Sequence, residues 1–191
     1  MPQKIRAFVA LAISADVRRA AAGVIDDLRG AGAAVKWVEP QNLHVTLKFL
    51  GDVDDGEIHH VCHAVEQAAA QAAPFGFEVR GAGAFPDTRR PRTVWLGIGQ
   101  GGPEIVALNA RIEPALTKLG FPKEARRFQP HLTIGRIRRG GPGVAELGTR
   151  IAARGDLPLG RTHVAEVIVF SSRLGRSGPT YEALARAPLG G

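Results

Sequence analysis

The chain has 191 residues, of which 45% are hydrophobic, and carries a formal charge of +7 with a pI near 10.5. This balance excludes a disordered or fibrous chain and leaves room for a substantial core in one compact unit, while no apolar run approaches the roughly 18 residues that span a bilayer. The lone cysteine, Cys62, cannot form an internal disulfide and fits a reducing, cytoplasmic compartment.

Ile5 to Ile13 alternates well enough to be a first strand rather than the apolar stretch of a cleaved leader. Asp16 is placed to cap a helix running to about Gly30, with Val17, Ala20, Ala21, Val24, Ile25 and Leu28 on one face. A short strand near Val35 to Val38 leads through Pro40 into a strong strand, His44 to Leu50, that Gly51-Asp52 should end. A second helix is expected over Asp55 to Gln71. Strands follow at Phe75 to Phe85 and Thr93 to Ile98, separated by a turn-rich, basic loop. A third helix runs from about Pro103 to Leu119 and closes at Gly120. The strand His131 to Ile137, a weak helix after Gly143, and strands near Val164 to Ser171 and Thr180 to Ala185 complete the chain. Strand, helix and a strand with a His-hydrophobic-Thr-hydrophobic pattern occur in each half, which points to an internal duplication. The expected fold class is α+β, with residues 1–191 forming one domain of two lobes.

The two patterned segments are His44-Val45-Thr46-Leu47 and His131-Leu132-Thr133-Ile134. A random chain of this composition holds roughly 0.05 such matches, so two arise about once in a thousand. Alternate side chains on a strand point to opposite faces. Each segment therefore presents an imidazole and a hydroxyl together, backed by two apolar residues. Imidazole titrates near pH 6.5, so one neutral and one protonated copy can coexist near neutrality. One can take a proton from water while the other protonates a leaving oxygen, and the threonine hydroxyls can donate to a phosphate's non-bridging oxygens. The residues alone do not say which histidine plays which part.

This chemistry needs no metal or other cofactor. Two histidines and two threonines make a poor zinc site. A better metal candidate is His59 with His63, one turn apart on the second helix, but no third ligand is evident. All but five of the 25 Lys and Arg residues are arginine. Arg126, Arg127, Arg136, Arg138 and Arg139 surround the second segment, and Arg89, Arg90 and Arg92 form another cluster. Guanidinium matches phosphate geometry, so both clusters suit a nucleic-acid backbone. On an ideal strand Arg136 points away from His131 and Thr133, so it reaches their face only through a bulge or the strand's end.

The flanks carry a resemblance that runs nearly end to end. It lies in Arg6-Ala-Phe-Val-Ala, Asn42-Leu-His-Val-Thr-Leu-Lys-Phe-Leu-Gly51 and Arg92-Thr-Val-Trp-Leu-Gly97. It continues in Phe128-Gln-Pro-His-Leu-Thr-Ile-Gly-Arg136 and Ser172-Arg-Leu-Gly-Arg-Ser-Gly-Pro-Thr-Tyr181. The chain resembles the two-histidine (2H) phosphoesterases, specifically the bacterial and archaeal RNA 2′,3′-cyclic phosphodiesterases once described as 2′-5′ RNA ligases. The resemblance implies a bilobal α+β fold with two antiparallel sheets lining a central cleft, helices outside and pseudo-twofold symmetry. It implies hydrolysis of an RNA or oligonucleotide 2′,3′-cyclic phosphate end to a 2′-phosphomonoester, with weak reverse ligation as a side activity. His44 would be the proton donor and His131 the acceptor, with Thr46, Thr133 and Arg136 on the phosphate. A monomer with no membrane partner is expected. The rival readings are a two-histidine esterase for smaller cyclic nucleotides or 2′-5′-linked oligoadenylate, a silent RNA-binding module, and a metal hydrolase.

Overall fold

The computed structural model describes residues 4–175 and 178–190, so Arg176 and Ser177 of the last flank lie outside the described residues. The described elements are β1 (Lys4–Leu11), α1 (Ala15–Arg29), β2 (Val35–Trp37), β3 (Val45–Asp54), α2 (Ile58–Ala69), β4 (Phe75–Phe85) and β5 (Thr93–Ile98). They continue with α3 (Gly102–Thr117), β6 (His131–Ile137), α4 (Val144–Ala152), β7 (Pro158–Val164), β8 (Glu166–Gly175) and β9 (Gly178–Pro188). The strands pair antiparallel in the order β7-β4-β5-β6-β3-β1-β8-β9, with β2 added to β6.

The middle of that path is its narrowest point. β3 and β6 share one residue pair, Val45 with Leu132, whereas β1 and β3 pair from Lys4 to Leu11. The two expected sheets are thus the two halves of one curled sheet, joined at a single pair. Helices cross between the halves. α1 leaves β1 and packs on β7 of the other half, while α2 lies on β8 and β9 and against α3. Buried apolar side chains from both halves, among them Leu11, Val45, Leu96, Leu132 and Ile134, form one cluster. Each such fully buried aliphatic side chain contributes about 1.5–3 kcal/mol.

Several boundaries differ from the sequence expectation for local reasons. Ser14, not Asp16, caps α1: its Oγ accepts from Val17 N–H at 3.2 Å, which leaves Asp16 in the first turn. A 3-10 turn over Asp55–Glu57 precedes α2. Gly51-Asp52 does not end β3, because Gly51 takes a φ of +73° and the strand absorbs the turn as a bulge before running on to Asp54. The strand β7 is absent from the sequence expectation. It is a sheet edge with a proline and a glycine and little alternation, and it pairs with β4 alone.

Candidate active site

His44 sits directly before β3, after a 3-10 turn over Pro40–Asn42, and His131 opens β6. Extending the Val45–Leu132 pairing one residue each way sets His44 opposite Thr133 and Thr46 opposite His131. Cross-strand neighbours share a face and stand roughly 5 Å apart at Cβ. The four polar side chains that the sequence placed in two faces therefore meet in one, over a pair of fully buried apolar residues.

Both imidazoles are oriented in the same way. His44 Nδ1–H donates to the Asn42 carbonyl at 2.7 Å, and His131 Nδ1–H donates to the Gln129 carbonyl at 2.8 Å. A carbonyl can only accept, so Nδ1 carries the proton and Nε2 is the working nitrogen of each ring. His44 Nε2 lies 2.9 Å from Thr46 Oγ1, while His131 Nε2 has no protein partner among the described residues. Asn42 is itself held in place by its Nδ2, which donates to the Pro179 carbonyl at 2.8 Å.

Burial pushes the His44 imidazole below its ordinary value, against the opposing pull of the Asn42 carbonyl. His131 is lowered too, first by burial and further by the positive charge of Arg136, with the Gln129 carbonyl opposing. Burial raises the Tyr181 phenol, and the same arginine opposes that shift. Arg136 is thus close enough to act electrostatically on His131 and Tyr181.

A bulge accounts for its position. Along β5 and β6, Gly97 pairs with His131, Trp95 with Thr133 and Thr93 with Arg136, and the register slips between Thr133 and Gly135. Gly97, Trp95 and Thr93 are alternate residues of β5 and share a face, so His131, Thr133 and Arg136 share one as well. Ile134 and Ile137 are both buried while Arg136 is exposed, as this flip requires. The Arg136 guanidinium also reaches Thr93 Oγ1 at 3.4 Å. Gly135 is needed at the slip because β2 crosses it: a Cβ there would lie 2.8 Å from the Trp37 ring.

The same device occurs in the other half. Thr46 pairs with Ala10 and Phe49 with Phe8, alternate residues of β1, so Phe49 takes the place that Arg136 takes in the second half. The bulge carbonyl of Leu47 accepts from Asn109 Nδ2 at 2.8 Å. Lys48, now buried, pairs with Glu113 at 2.7 Å and donates to the Pro122 carbonyl. α3 thereby holds the strand behind His44.

Sequence reasoning missed the aromatic lining. The Phe8 ring lies tilted against His44 at 4.8 Å, with Tyr181 edge-on to that histidine at 5.4 Å, and Phe85 lies edge-on to His131 at 5.2 Å. Trp95 Nε1 beside Thr133 is buried without a hydrogen-bond partner among the described residues. The only sequence signal for Phe8, Trp95 and Tyr181 was their presence in the flanking segments, and Phe85 lies outside them. Among the described residues no group of three or more His, Cys, Asp and Glu side chains comes together, so His59 and His63 gain no third ligand. No described helix is long and apolar enough to cross a membrane.

Two His-Thr pairs on one face, with Arg136 beside them, are the arrangement expected of a two-histidine phosphoesterase. The LigT-like phosphoesterase family model matches the chain twice, over residues 11–95 and 97–181, once in each half. The chain belongs to that family. It is 38% identical over 179 residues to the RNA 2′,3′-cyclic phosphodiesterase of Methanothermobacter thermautotrophicus, covering 93% of this chain and 95% of that one. It is 32% identical to the protein of the same name from Aquifex aeolicus, covering 98% of each. A crystal structure of a Thermus thermophilus protein superposes with a TM-score of 0.80 at 26% identity, covering 97% of this chain and 98% of the other.

Proposed function

We propose that this enzyme hydrolyses the 2′,3′-cyclic phosphate end of RNA to a 2′-phosphomonoester, by proton transfer between His131 and His44. The observation that carries the reading is the Val45–Leu132 pair, which brings two Nδ1-anchored imidazoles and two threonine hydroxyls onto one face. The shared name of the relatives from Methanothermobacter and Aquifex supports the substrate.

In this mechanism His131 takes a proton from water through Nε2, and the water oxygen forms the new bond to phosphorus. Arg136 supports that role because its charge favours the neutral imidazole that a base must be. His44, protonated at Nε2, gives its proton to the departing 3′ oxygen as that P–O bond breaks. In the free site Thr46 Oγ1 occupies His44 Nε2, and the bound phosphate ester takes its place. The negative phosphate offsets the effect of burial on His44 and favours its charged form. The hydroxyls of Thr46 and Thr133 and the Arg136 guanidinium hold the non-bridging oxygens as charge builds on them. With a 5′-hydroxyl in place of water, the reverse reaction forms a 2′-5′ junction, a side activity because water is abundant. The reading is of one bilobal domain over 1–191, acting as a cytoplasmic monomer without a metal.

The test is turnover of an RNA ending in a 2′,3′-cyclic phosphate by His44→Ala and His131→Ala. Each should lose about a hundredfold or more in kcat with little change in binding. Wild-type turnover should survive chelator. Unchanged hydrolysis in either variant, or a 3′-phosphate product, would refute the assignment.

A further inference from the structure

A cavity of about 600 Å³ opens beside the candidate site, lined by Lys36, Arg136, Arg138 and Arg139 and by glycine, alanine and proline residues. It is continuous with the catalytic face through Arg136, which also acts on His131. We infer that this cavity is a backbone subsite that holds the phosphodiesters on the 5′ side of the RNA's terminal cyclic phosphate, gripped by Lys36, Arg138 and Arg139. The inference rests on the reading above and extends it from the reacting end to the chain behind it.

Three observations carry it. The four cations converge with no carboxylate among the lining residues, and none of them is ion-paired among the described residues. Among the described residues some arginines elsewhere are ion-paired, such as Arg80 with Asp156, Arg150 with Glu146, Arg154 with Asp27 and Arg186 with Glu166, and others are not; what sets the cavity apart is that four unpaired cations line one space. Mutual repulsion of four unpaired cations in one cavity is relieved by an anion carrying several charges, such as a run of phosphodiesters. Second, the rest of the lining is small, being Gly32, Ala34, Gly140, Gly141 and Pro142, so a polymer backbone can approach closely. Third, the rim is braced from outside. Arg92 Nη1 donates to the Arg138 carbonyl at 2.9 Å, and Lys36 pairs in register with Arg136 across β2 and β6. Phosphate contacts of this kind position a strand without reading its bases. The enzyme should therefore prefer chains over mononucleotides while showing little sequence preference.

The experiment compares the wild type with Lys36→Ala/Arg138→Ala/Arg139→Ala, all exposed residues, and with a control of equal charge loss, Arg19→Ala/Arg29→Ala/Arg186→Ala, whose arginines are ion-paired. Two readouts are taken. One is kcat/KM on a cyclic-phosphate hexanucleotide divided by that on a 2′,3′-cyclic mononucleotide. The other is anisotropy of a labelled RNA hexamer ending in a 2′-phosphate, which reports binding whether or not the protein turns substrate over. The cavity variant should lower the kcat/KM ratio and the hexamer affinity about tenfold or more, and flatten the slope of log affinity against log salt by about 2, near 0.7 per lost contact. Arg138→Lys/Arg139→Lys should keep most of the affinity. Equal losses in the control variant, an unchanged ratio with unchanged affinity, or displacement of the hexamer by equimolar inorganic pyrophosphate would each overturn the subsite. If the wild type hydrolyses neither substrate, the catalytic reading fails, while the anisotropy arm still decides the subsite.

Discussion

Replacing Arg136 with Gln tests the bulge in β6 directly, because an unbulged strand would point this side chain away from His131. Arg136 is solvent-exposed and its only side-chain bond among the described residues is the 3.4 Å contact with Thr93, so the substitution should change stability by no more than about 0.5 kcal/mol. If on that face its guanidinium donates to the substrate phosphate as proposed, the charge-assisted bond is worth about 1.5–3 kcal/mol, and its loss should lower kcat/KM roughly 10- to 150-fold. The pH profile should change as well. The arginine lowers the pKa of His131, so its removal lets that pKa rise. A base must be neutral, and the acid limb of kcat/KM should accordingly move to higher pH. Arg136→Lys keeps the charge but loses the fork, so it should retain the wild-type acid limb with an intermediate loss of rate. The assay is kcat/KM on a cyclic-phosphate oligonucleotide across pH, with Tm as the folding control. A loss below about threefold together with an unmoved acid limb would refute the face assignment and the role built on it.

Lys48→Met leaves the mostly buried Glu113 carboxylate with the Glu124 N–H but without its cation and should cost about 1.5–3 kcal/mol, whereas Lys48→Met/Glu113→Leu should recover part of it; urea denaturation of the single and double variants checks this. Both site histidines have lowered pKa values when folded, so the unfolded chain binds more protons as pH falls through about 6.5. Stability from their neutral forms is full above that pH and is lost below it, toward the folded pKa values. Tm should therefore fall more steeply from pH 7 to about 5 in the wild type than in a His44→Gln/His131→Gln variant, and added phosphate should offset the fall. Gly135→Ala drives a Cβ against Trp37 and Val35 where β2 crosses the bulge, and should cost about 1–3 kcal/mol by overpacking. A thermal melt of that variant, with kcat on the cyclic-phosphate RNA, should show both stability and rate reduced.

Local periodicity alone makes the two working faces legible. His44 with Thr46 and His131 with Thr133 follow from the two-residue repeat of an extended strand, a property of a few neighbouring residues. The strands Phe75–Phe85, Thr93–Ile98 and His131–Ile137 are readable for the same reason. β7 is not, since an edge strand need not alternate when one ladder and a packed helix already hold it. Nor does local pattern show that the two faces adjoin, which depends on one contact between Val45 and Leu132, far apart in the chain.

The position of Arg136 illustrates the division most clearly. Strand alternation alone aims it away from the histidines and makes its role conditional on a bulge. The bulge exists because β5 and β2 grip β6 on opposite edges, with Trp37 and Val35 packed where Gly135 has no side chain. The matching slip in β3 is held by Asn109, whose side chain takes the Leu47 carbonyl from 62 residues away. Sequence by itself determined the two His-Thr pairs and the side of the strand on which each pair lies. The tertiary structure alone decided how those pairs meet, which nitrogen of each imidazole is left to work, and which arginine joins them. The reason is physical: face alternation is set within a strand, whereas register slips and ring orientation are set by partners that only folding brings near.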